Sequence, residues 1–132
     1  MSVDEECRFC VSKPGRRLID ESEYGFAAWD RHPASEAHVL VIPYRHFDSY
    51  FVIKDEELVD LWGLVATGQR ICDEQYHPDG YNIGINVGPE AGQSIPHLHI
   101  HVIPRYKGDV ENPKGGVRGV IPDKKLYTFE PD

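Results

Sequence analysis

A run of alternating histidines late in the chain constrains the fold more than any other feature. The segment 97–105 reads HLHIHVIPR and has a histidine at every second position: His97, His99 and His101. Successive side chains of a β-strand point to opposite faces, whereas a helix would scatter the three rings around its surface. The sequence therefore predicts a strand with a row of imidazoles on one face. The other face would bury the intervening aliphatic side chains, Leu98, Ile100 and Val102.

Three imidazoles in register indicate a functional site, because imidazole acts as nucleophile, acid, base or metal ligand near neutral pH. A solvent-facing polar row would account for one such histidine, but three in a chain that has seven favour chemistry. A neutral His99 can attack phosphorus and form a phosphoramidate that water then cleaves. His101 would lie beside the phosphate, where charge must be stabilised. The open alternative is a metal site in which His99 and His101 share one ion.

Length and composition fit one small domain, since the chain has 132 residues, 40% hydrophobic and 27% charged. We expect a single domain over 1–132, with 107–132 as its tail. The net charge of −8 argues against a general nucleic-acid surface. The apolar runs are too short to cross a membrane, and the first residues lack a signal-peptide pattern. We therefore expect a cytoplasmic protein without membrane or nucleic-acid partners.

The remaining periodicity predicts further strands and one long helix. Segments 17–21 and 24–29 form a predicted hairpin, and the apolar run 37–43 predicts a central strand covered on both faces. The helix is predicted to run from an N-cap at Asp55 to Tyr76. Its stripe recurs at three- and four-residue steps: Leu58, Leu61, Trp62, Val65, Gln69 and Cys72. This order predicts an α+β fold, an antiparallel sheet of about five strands with the helix packed on one face.

A Gly-rich connector joins a predicted strand over 81–87 to the histidine segment. Glycines let backbone amides approach an anion closely, and the neighbouring polar side chains add neutral donors. The connector therefore suits a phosphate, although an ordinary hairpin connection has the same residue types. The candidate phosphate contacts are Asn86, Gly92, Gln93 and Ser94.

The segment 92–103, GQSIPHLHIHVI, resembles the signature of the histidine-triad (HIT) superfamily of nucleotide hydrolases and transferases. In that signature, His-x-His-x-His is followed by two apolar residues. The resemblance extends to the strand 37–43 with His46 and to the cysteine pair at 7 and 10. It also includes the tail 108–118, which is similar to a prokaryotic branch. The resemblance implies a HIT-like fold and a homodimer whose sheets join edge to edge.

The resemblance also implies a role for each candidate residue. His99 would be the nucleophile that takes the nucleotidyl group, His101 would contact the phosphate, and His38 would orient the triad. Asp30 would bind the ribose hydroxyls, although an aspartate before a Pro-containing loop is also a common turn former. Contacts with the phosphate or the leaving group would come from the connector residues Asn86, Gln93 and Ser94.

A cysteine pair near the N-terminus predicts a metal site. Cys7 and Cys10 have the spacing of metal ligands, and a reduced pair without metal is the alternative. The resemblance adds His46 and His97 to the pair. A Cys₂His₂ set is closed, so the implied Zn²⁺ would be structural. His97 would then face the zinc or only buttress the catalytic site.

One residue departs from the family pattern, and the role of one group of cations stays open. The residue before His38 is usually Gly in the family, and Ala37 stands there, which leaves the path of the preceding loop open. The cations of the tail either reach a polyphosphate or are solvated: Arg105, Lys107, Lys114 and Arg118.

The activity that the resemblance implies is hydrolysis at the α-phosphate of dinucleoside polyphosphates, such as diadenosine tetraphosphate, through a covalent nucleotidyl-histidine. Transferase branches typically carry Gln at the third triad position, so His101 favours hydrolysis. Three alternatives remain: an adenosine phosphoramidase, a nucleotide-binding regulatory protein with little turnover, and a zinc-binding interaction module.

Overall fold

The computed structural model describes residues 6–11 and 17–128. The strands are β1 Leu18–Glu21, β2 Gly25–Trp29, β3 Val39–Pro43, β4 Gly80–Gly84 and β5 Ile100–Arg105. They form one antiparallel sheet in the order β1-β2-β3-β5-β4. The helices are a short α1, Arg8–Val11, and the long α2, Asp55–Tyr76. Single 3₁₀ turns occur at Tyr50–Val52, Pro89–Ala91, Gly116–Val120 and Pro122–Lys124. The predicted α+β class, with five strands and one long helix on a face, is confirmed.

Strand β3 is the central apolar strand that the sequence predicts. All five of its residues are buried, and it pairs with β2 on one side and β5 on the other. The predicted hairpin is formed by β1 and β2. Its turn is held by α2, because the Asp60 carboxylate accepts hydrogen bonds from the Ser22 hydroxyl at 2.5 Å and from the Tyr24 N–H at 3.0 Å.

Helix α2 ends at Tyr76 as predicted, but its N-cap is Lys54 and not Asp55. The helix thus begins one residue earlier than predicted, and Glu57 in its first turn accepts the Lys54 N–H at 3.0 Å. Arg45 in turn holds the buried Glu57 carboxylate, through Nη2 at 2.7 Å and Nε at 3.0 Å. The buried face of α2 also differs from the predicted stripe, since Trp62 is 38% exposed. The helix buries Glu57, Leu61, Leu64, Val65, Gly68 and Cys72.

Several strand predictions extend too far, and β3 begins at Val39 and not at 37. Strand β4 ends at Gly84 and not at 87, and β5 begins at Ile100, so His97 and His99 precede the strand. The last ladder pair between β3 and β5 joins Val41 to Ile100. Before that point the backbone leaves the sheet, because the Leu98 N–H donates to the Phe47 carbonyl at 2.7 Å.

The sheet is covered on both faces, and the two layers position different residues. Between α2 and the sheet lies the main core, which contains Leu98, Ile100 and Val102, each fully buried as the alternation predicts. The opposite face buries a second cluster: Cys7, Phe9, Phe26, Ala28, Leu40 and Ile42. Because Leu40 is the ladder partner of His101, this second face is also the face of the catalytic candidates. None of the helices within the described residues is long and apolar enough to cross a membrane.

The end of α2 gives a test of backbone conformation. The C-cap His77 is exposed and has φ +52°, in the left-handed region that favours glycine. His77→Gly is therefore expected to raise the free energy of unfolding by about 0.5–1 kcal/mol. Urea denaturation measures it. Glu74→Gly, at an exposed position inside α2, is the matched control and should lower stability by about 1 kcal/mol. Equal effects of the two glycines would contradict the argument.

Candidate active site

His99 has its ring tautomer defined by the backbone of its own segment. Its Nδ1 lies 2.9 Å from the carbonyl oxygen of His97. A carbonyl only accepts, so Nδ1 carries the proton and the lone pair of the neutral ring lies on Nε2. The ring is 8% exposed and makes edge-to-face contacts with Phe9 and His101, each with centroids 4.9 Å apart. This tautomer is the one a nucleophile needs.

The pleat of the sheet places Asp30, His38 and His101 side by side. Ladder partners share a face, and Leu40 is the partner of both Ala28 and His101. Asp30 comes two residues after Ala28, and His38 comes two residues before Leu40, so both lie on that same face. The Asp30 N–H donates to the His38 carbonyl at 2.8 Å. Three separate segments thus converge through strand register alone.

A hydrogen-bond relay connects His38 to His101. The Ala34 N–H donates to His38 Nδ1 at 2.9 Å, so the proton of the neutral His38 ring lies on Nε2. That Nε2–H faces Nδ1 of His101 at 3.0 Å. His101 therefore accepts at Nδ1 and carries its own proton on Nε2, which makes Nε2–H a donor for an anion.

The relay is neutral at pH 7. Burial, with smaller contributions from His99 and His38, lowers the pKa of His101 to about 4, and Asp30 opposes this shift. Burial also lowers the pKa of His38, against the raising effect of Asp30, whose Oδ2 lies 3.5 Å from His38 Nε2. An arriving phosphate anion would favour protonation of His101.

Asp30, His38 and His101 also have ligand atoms within 4.8 Å of one another, the spacing of a metal group. A metal on His38 Nε2 would shift the ring proton to Nδ1, where the Ala34 N–H already donates. The relay explains these distances without that conflict. His99 belongs to neither candidate metal group found among the described residues, so the structure does not support an ion shared by His99 and His101.

A cleft of about 340 Å³ opens in front of His99 and His101. Of the predicted site residues, it is lined by Asp30, Asn86, Gly92, Ser94, His99 and His101. His38 and His97 are buried and do not line it. At Gly92 the backbone has φ +94°, so a glycine suits this edge of the cleft.

Gln93, a predicted substrate contact, is not among the residues that line this cleft. Its Oε1 accepts the Gly88 N–H at 2.9 Å, and its Nε2 donates to the carbonyls of Asp48 at 2.9 Å and Ile95 at 3.2 Å. Both ends of the amide are thus bonded to backbone. Gln93 braces the connector that presents Asn86 and Ser94.

Sequence reasoning missed half of the lining residues: Arg8, Phe9, Arg31, His32, Leu40 and Ile95. Arg8 and Phe9 lie between the paired cysteines in sequence, and Arg31 directly follows Asp30. This closeness to candidate site residues is the one indication in the sequence that they line the cleft. Arg105, from the tail region, does not line the cleft and is held by Asp109 at 2.8 Å. Within 6–11 and 17–128, the cations that line the cleft are Arg8 and Arg31.

The predicted metal ligands converge into one cluster. His97 Nδ1 lies 3.4 Å from the sulfurs of Cys7 and Cys10 and 3.1 Å from His46 Nδ1, which lies 3.4 Å from Cys10. His97 Nε2 donates to the Pro43 carbonyl at 2.8 Å, which leaves the lone pair on Nδ1.

These distances fit zinc. Tetrahedral Zn²⁺, with bonds of about 2.0 Å to nitrogen and 2.3 Å to sulfur, separates its ligand atoms by about 3.3–3.8 Å. The three nitrogen–sulfur distances of 3.4 Å lie in this range, and the 3.1 Å between the two ring nitrogens is slightly below it. Burial lowers the pKa of His97 to about 4 and keeps the ring available as a ligand. The donor set of two cysteines and two histidines is the set of a closed structural zinc site.

Comparison with known proteins decides the family. The HIT domain model matches residues 13–108, most of the chain. The chain belongs to the HIT domain family. This HIT protein is 36% identical over 129 residues to an uncharacterized HIT-like protein of Methanocaldococcus jannaschii, covering 94% of this chain and 98% of that one.

Two further relatives of this HIT protein carry informative names. A bis(5'-nucleosyl)-tetraphosphatase [asymmetrical] of Schizosaccharomyces pombe is 40% identical over 95 residues, which are 72% of this chain and 52% of the relative. The chain thus spans about half of that enzyme's length. A Zn-bound histidine triad family protein from Mycobacterium smegmatis superposes with a TM-score of 0.68 at 36% identity, covering 81% of this chain and 80% of that one.

The family glycine that Ala37 replaces has a physical explanation in this structure. Ala37 has φ +71°, in the left-handed region where glycine carries no steric cost. The loop before it is held by the Ser35 hydroxyl, which donates to the Pro104 carbonyl at 2.6 Å, and by the His38 N–H, which donates to the Ser35 carbonyl at 3.2 Å. Despite the substitution, the loop delivers the Ala34 N–H to His38.

Proposed function

We propose that this HIT protein hydrolyses dinucleoside polyphosphates, such as diadenosine tetraphosphate, at the α-phosphate through a covalent nucleotidyl-His99. The observation that carries the proposal is the tautomer of His99, defined by the His97 carbonyl, at a cleft beside the His101 donor. The relatives named as bis(5'-nucleosyl)-tetraphosphatase and bis(5'-adenosyl)-triphosphatase support the hydrolase role.

The chemistry proceeds in two displacements. In the first, the Nε2 lone pair of His99 forms a bond to the α-phosphorus, and the bond to the bridging oxygen breaks. The leaving nucleotide departs with the bonding electrons. The ring is then a phosphorylated imidazolium, and its Nδ1–H remains bonded to the His97 carbonyl, which disperses the positive charge. In the second, water attacks phosphorus, the P–N bond breaks with its electrons returning to Nε2, one proton of the water is released to solvent, and His99 is again neutral.

His101 would stabilise the charge that develops on the phosphate. Its Nε2–H, oriented through His38, is a donor for the non-bridging oxygens of the transition state. Asp30 would accept hydrogen bonds from the ribose hydroxyls with its half-buried carboxylate, which borders the cleft. Arg8 and Arg31 would attract the polyphosphate to this cleft although the whole chain has a net charge of −8.

A structural zinc ion belongs to the same proposal. Cys7, Cys10, His46 and His97 would hold it, and the Pro43 carbonyl would orient His97 as an outer partner. The ion supplies no chemistry to the reaction in this proposal. Its role is to fasten α1 to the face of the sheet that carries the cleft.

The homodimer and the cytoplasmic location also remain proposals. β4 is an edge strand, and its Ile83 is 40% exposed. On α2, Val59 is 75% and Trp62 38% exposed. Apolar side chains and strand edges of this kind are suited to pairing with a second copy of the chain.

The substrate class is tested by product analysis in ¹⁸O-water. With diadenosine tetraphosphate we expect AMP and ATP, with the ¹⁸O in AMP, because water resolves the nucleotidyl intermediate. Adenosine 5′-phosphoramidate is expected to react more slowly, since its leaving group offers no anionic chain to the cleft. Turnover of the phosphoramidate alone would replace the proposal with the phosphoramidase alternative. Binding of nucleotides without turnover of either would indicate the regulatory protein.

A further inference from the structure

The candidate zinc cluster and the candidate nucleophile meet through one aromatic side chain. Phe9 lies between Cys7 and Cys10 in sequence and is 4% exposed. Its ring makes edge-to-face contact with His99, with centroids 4.9 Å apart and planes at 75°. It also contacts His97, with centroids 6.0 Å apart and planes at 87°. The turn that would bind the metal thus places Phe9 directly against the ring that would attack phosphorus.

His99 depends on such contacts for its orientation. One hydrogen bond of its ring runs to the carbonyl of His97, two residues away in the same segment. The ring makes this bond at one setting only, and contacts from outside the segment hold it at that setting. Phe9 and His101 make edge-to-face contacts with this ring. Of these two, His101 belongs to the sheet, whereas Phe9 belongs to α1.

Helix α1 is too short to hold its own shape. It has four residues, fewer than an isolated helix needs, and the Cys10 N–H closes the turn on the Cys7 carbonyl at 3.1 Å. Its anchors to the sheet include the small apolar cluster with Phe26, Leu40 and Ile42 and the Cys/His ligand set. Metal bound to that set would fix the position of Phe9.

We propose that Phe9 is a positioning residue that couples the metal-binding turn to the orientation of the His99 ring. This inference rests on the proposed function for its kinetic consequence. Under this inference the metal site does not only hold the N-terminal segment in place. Its occupancy also sets how well the His99 ring is aligned with the phosphorus. A misplacement of about 1 Å in a reacting group can cost roughly 100-fold in rate.

The first test is Phe9→Ala. We expect kcat for diadenosine tetraphosphate to fall by roughly 10- to 100-fold, while zinc content stays at the parental value because all four ligands remain. Phe9→Leu, which keeps most of the volume, should recover part of the lost kcat. Phe51→Ala removes an aromatic ring that is 82% exposed and should leave kcat unchanged. A kcat within twofold of the parent for Phe9→Ala, or a loss that only follows zinc loss, would overturn the inference.

The second test reads the ring directly and does not need turnover. Long-range ¹H–¹⁵N spectra should show the Nδ1–H tautomer of His99 in the zinc-loaded parent and a mixed population in Phe9→Ala. Removal of zinc from the parent with a chelator should produce the same mixture, and removal from Phe9→Ala should add little. Unchanged spectra in Phe9→Ala, or additive effects, refute the coupling. A parent that fails to turn over, yet shows this pattern, would refute the proposed function and leave the coupling supported.

Discussion

Replacement of His99 by alanine is expected to lower kcat for diadenosine tetraphosphate by roughly 10⁴-fold or more. The substitution removes the Nε2 lone pair. This lone pair is available because the His97 carbonyl holds the ring proton on Nδ1. It also removes the covalent intermediate, so an acid quench of the parent with labelled substrate should trap label on the protein, and the same quench of His99→Ala should not. Steady-state rates and the trapped label are the two measurements.

His77→Ala is the matched control, because His77 is an exposed histidine at the end of α2 and has no place in the cleft. It should keep the parental kcat and the trapped label. If His99→Ala hydrolyses the substrate as fast as the parent, His99 is not the nucleophile. The relay from His38 to His101 would then lose the role proposed for it beside His99.

The second large effect concerns the cysteine pair. The parent is expected to contain about one zinc per chain after metal-replete expression, and Cys7→Ser with Cys10→Ser should contain almost none. Loss of an ion that binds with free zinc 1,000-fold above its Kd lowers the free energy of unfolding by about 4 kcal/mol. Metal analysis and thermal unfolding, each with and without a chelator, measure the two outcomes.

Cys72→Ala is the control for removal of a cysteine. Cys72 is fully buried on α2, where burial raises the pKa of its thiol to about 11, and it belongs to the core and not to the ligand set. Its variant should keep the zinc and remain sensitive to the chelator, whatever the cavity costs in stability. Less than about half an equivalent of zinc in the parent would count against the metal site.

Local periodicity predicted most of the fold. The alternation that buries Ile100 and the apolar run of β3 are visible in the sequence, because they follow from the two-residue repeat of a strand. The limits of the elements are less visible. Strand β5 starts only at Ile100, since the Leu98 N–H donates to Phe47, which is distant in sequence. The exposed Trp62 shows that the apolar stripe of α2 does not by itself determine which edge of the stripe packs against the sheet.

The site divides in the same way. Its residue types were predictable, because few side chains other than histidine and cysteine can perform nucleophilic or metal chemistry at these spacings. Arg8 and Arg31 were missed as lining residues, since nothing local to them indicates that their segments border one cleft. Gln93 shows the same limit: its amide suits a phosphate, and only the folded loop shows that it bonds to the backbone of Gly88, Asp48 and Ile95.

By itself, the sequence determined the family of this protein and the order of its candidate reacting groups along the chain. Only the tertiary structure decided where their protons are. His97, His99 and His101 are near-equivalent in the sequence, yet they accept or donate at different nitrogens because each ring meets a different partner: the Pro43 carbonyl, the His97 carbonyl and the His38 ring. A neutral imidazole takes the tautomer that its partner requires, and two of these three partners come from distant parts of the chain.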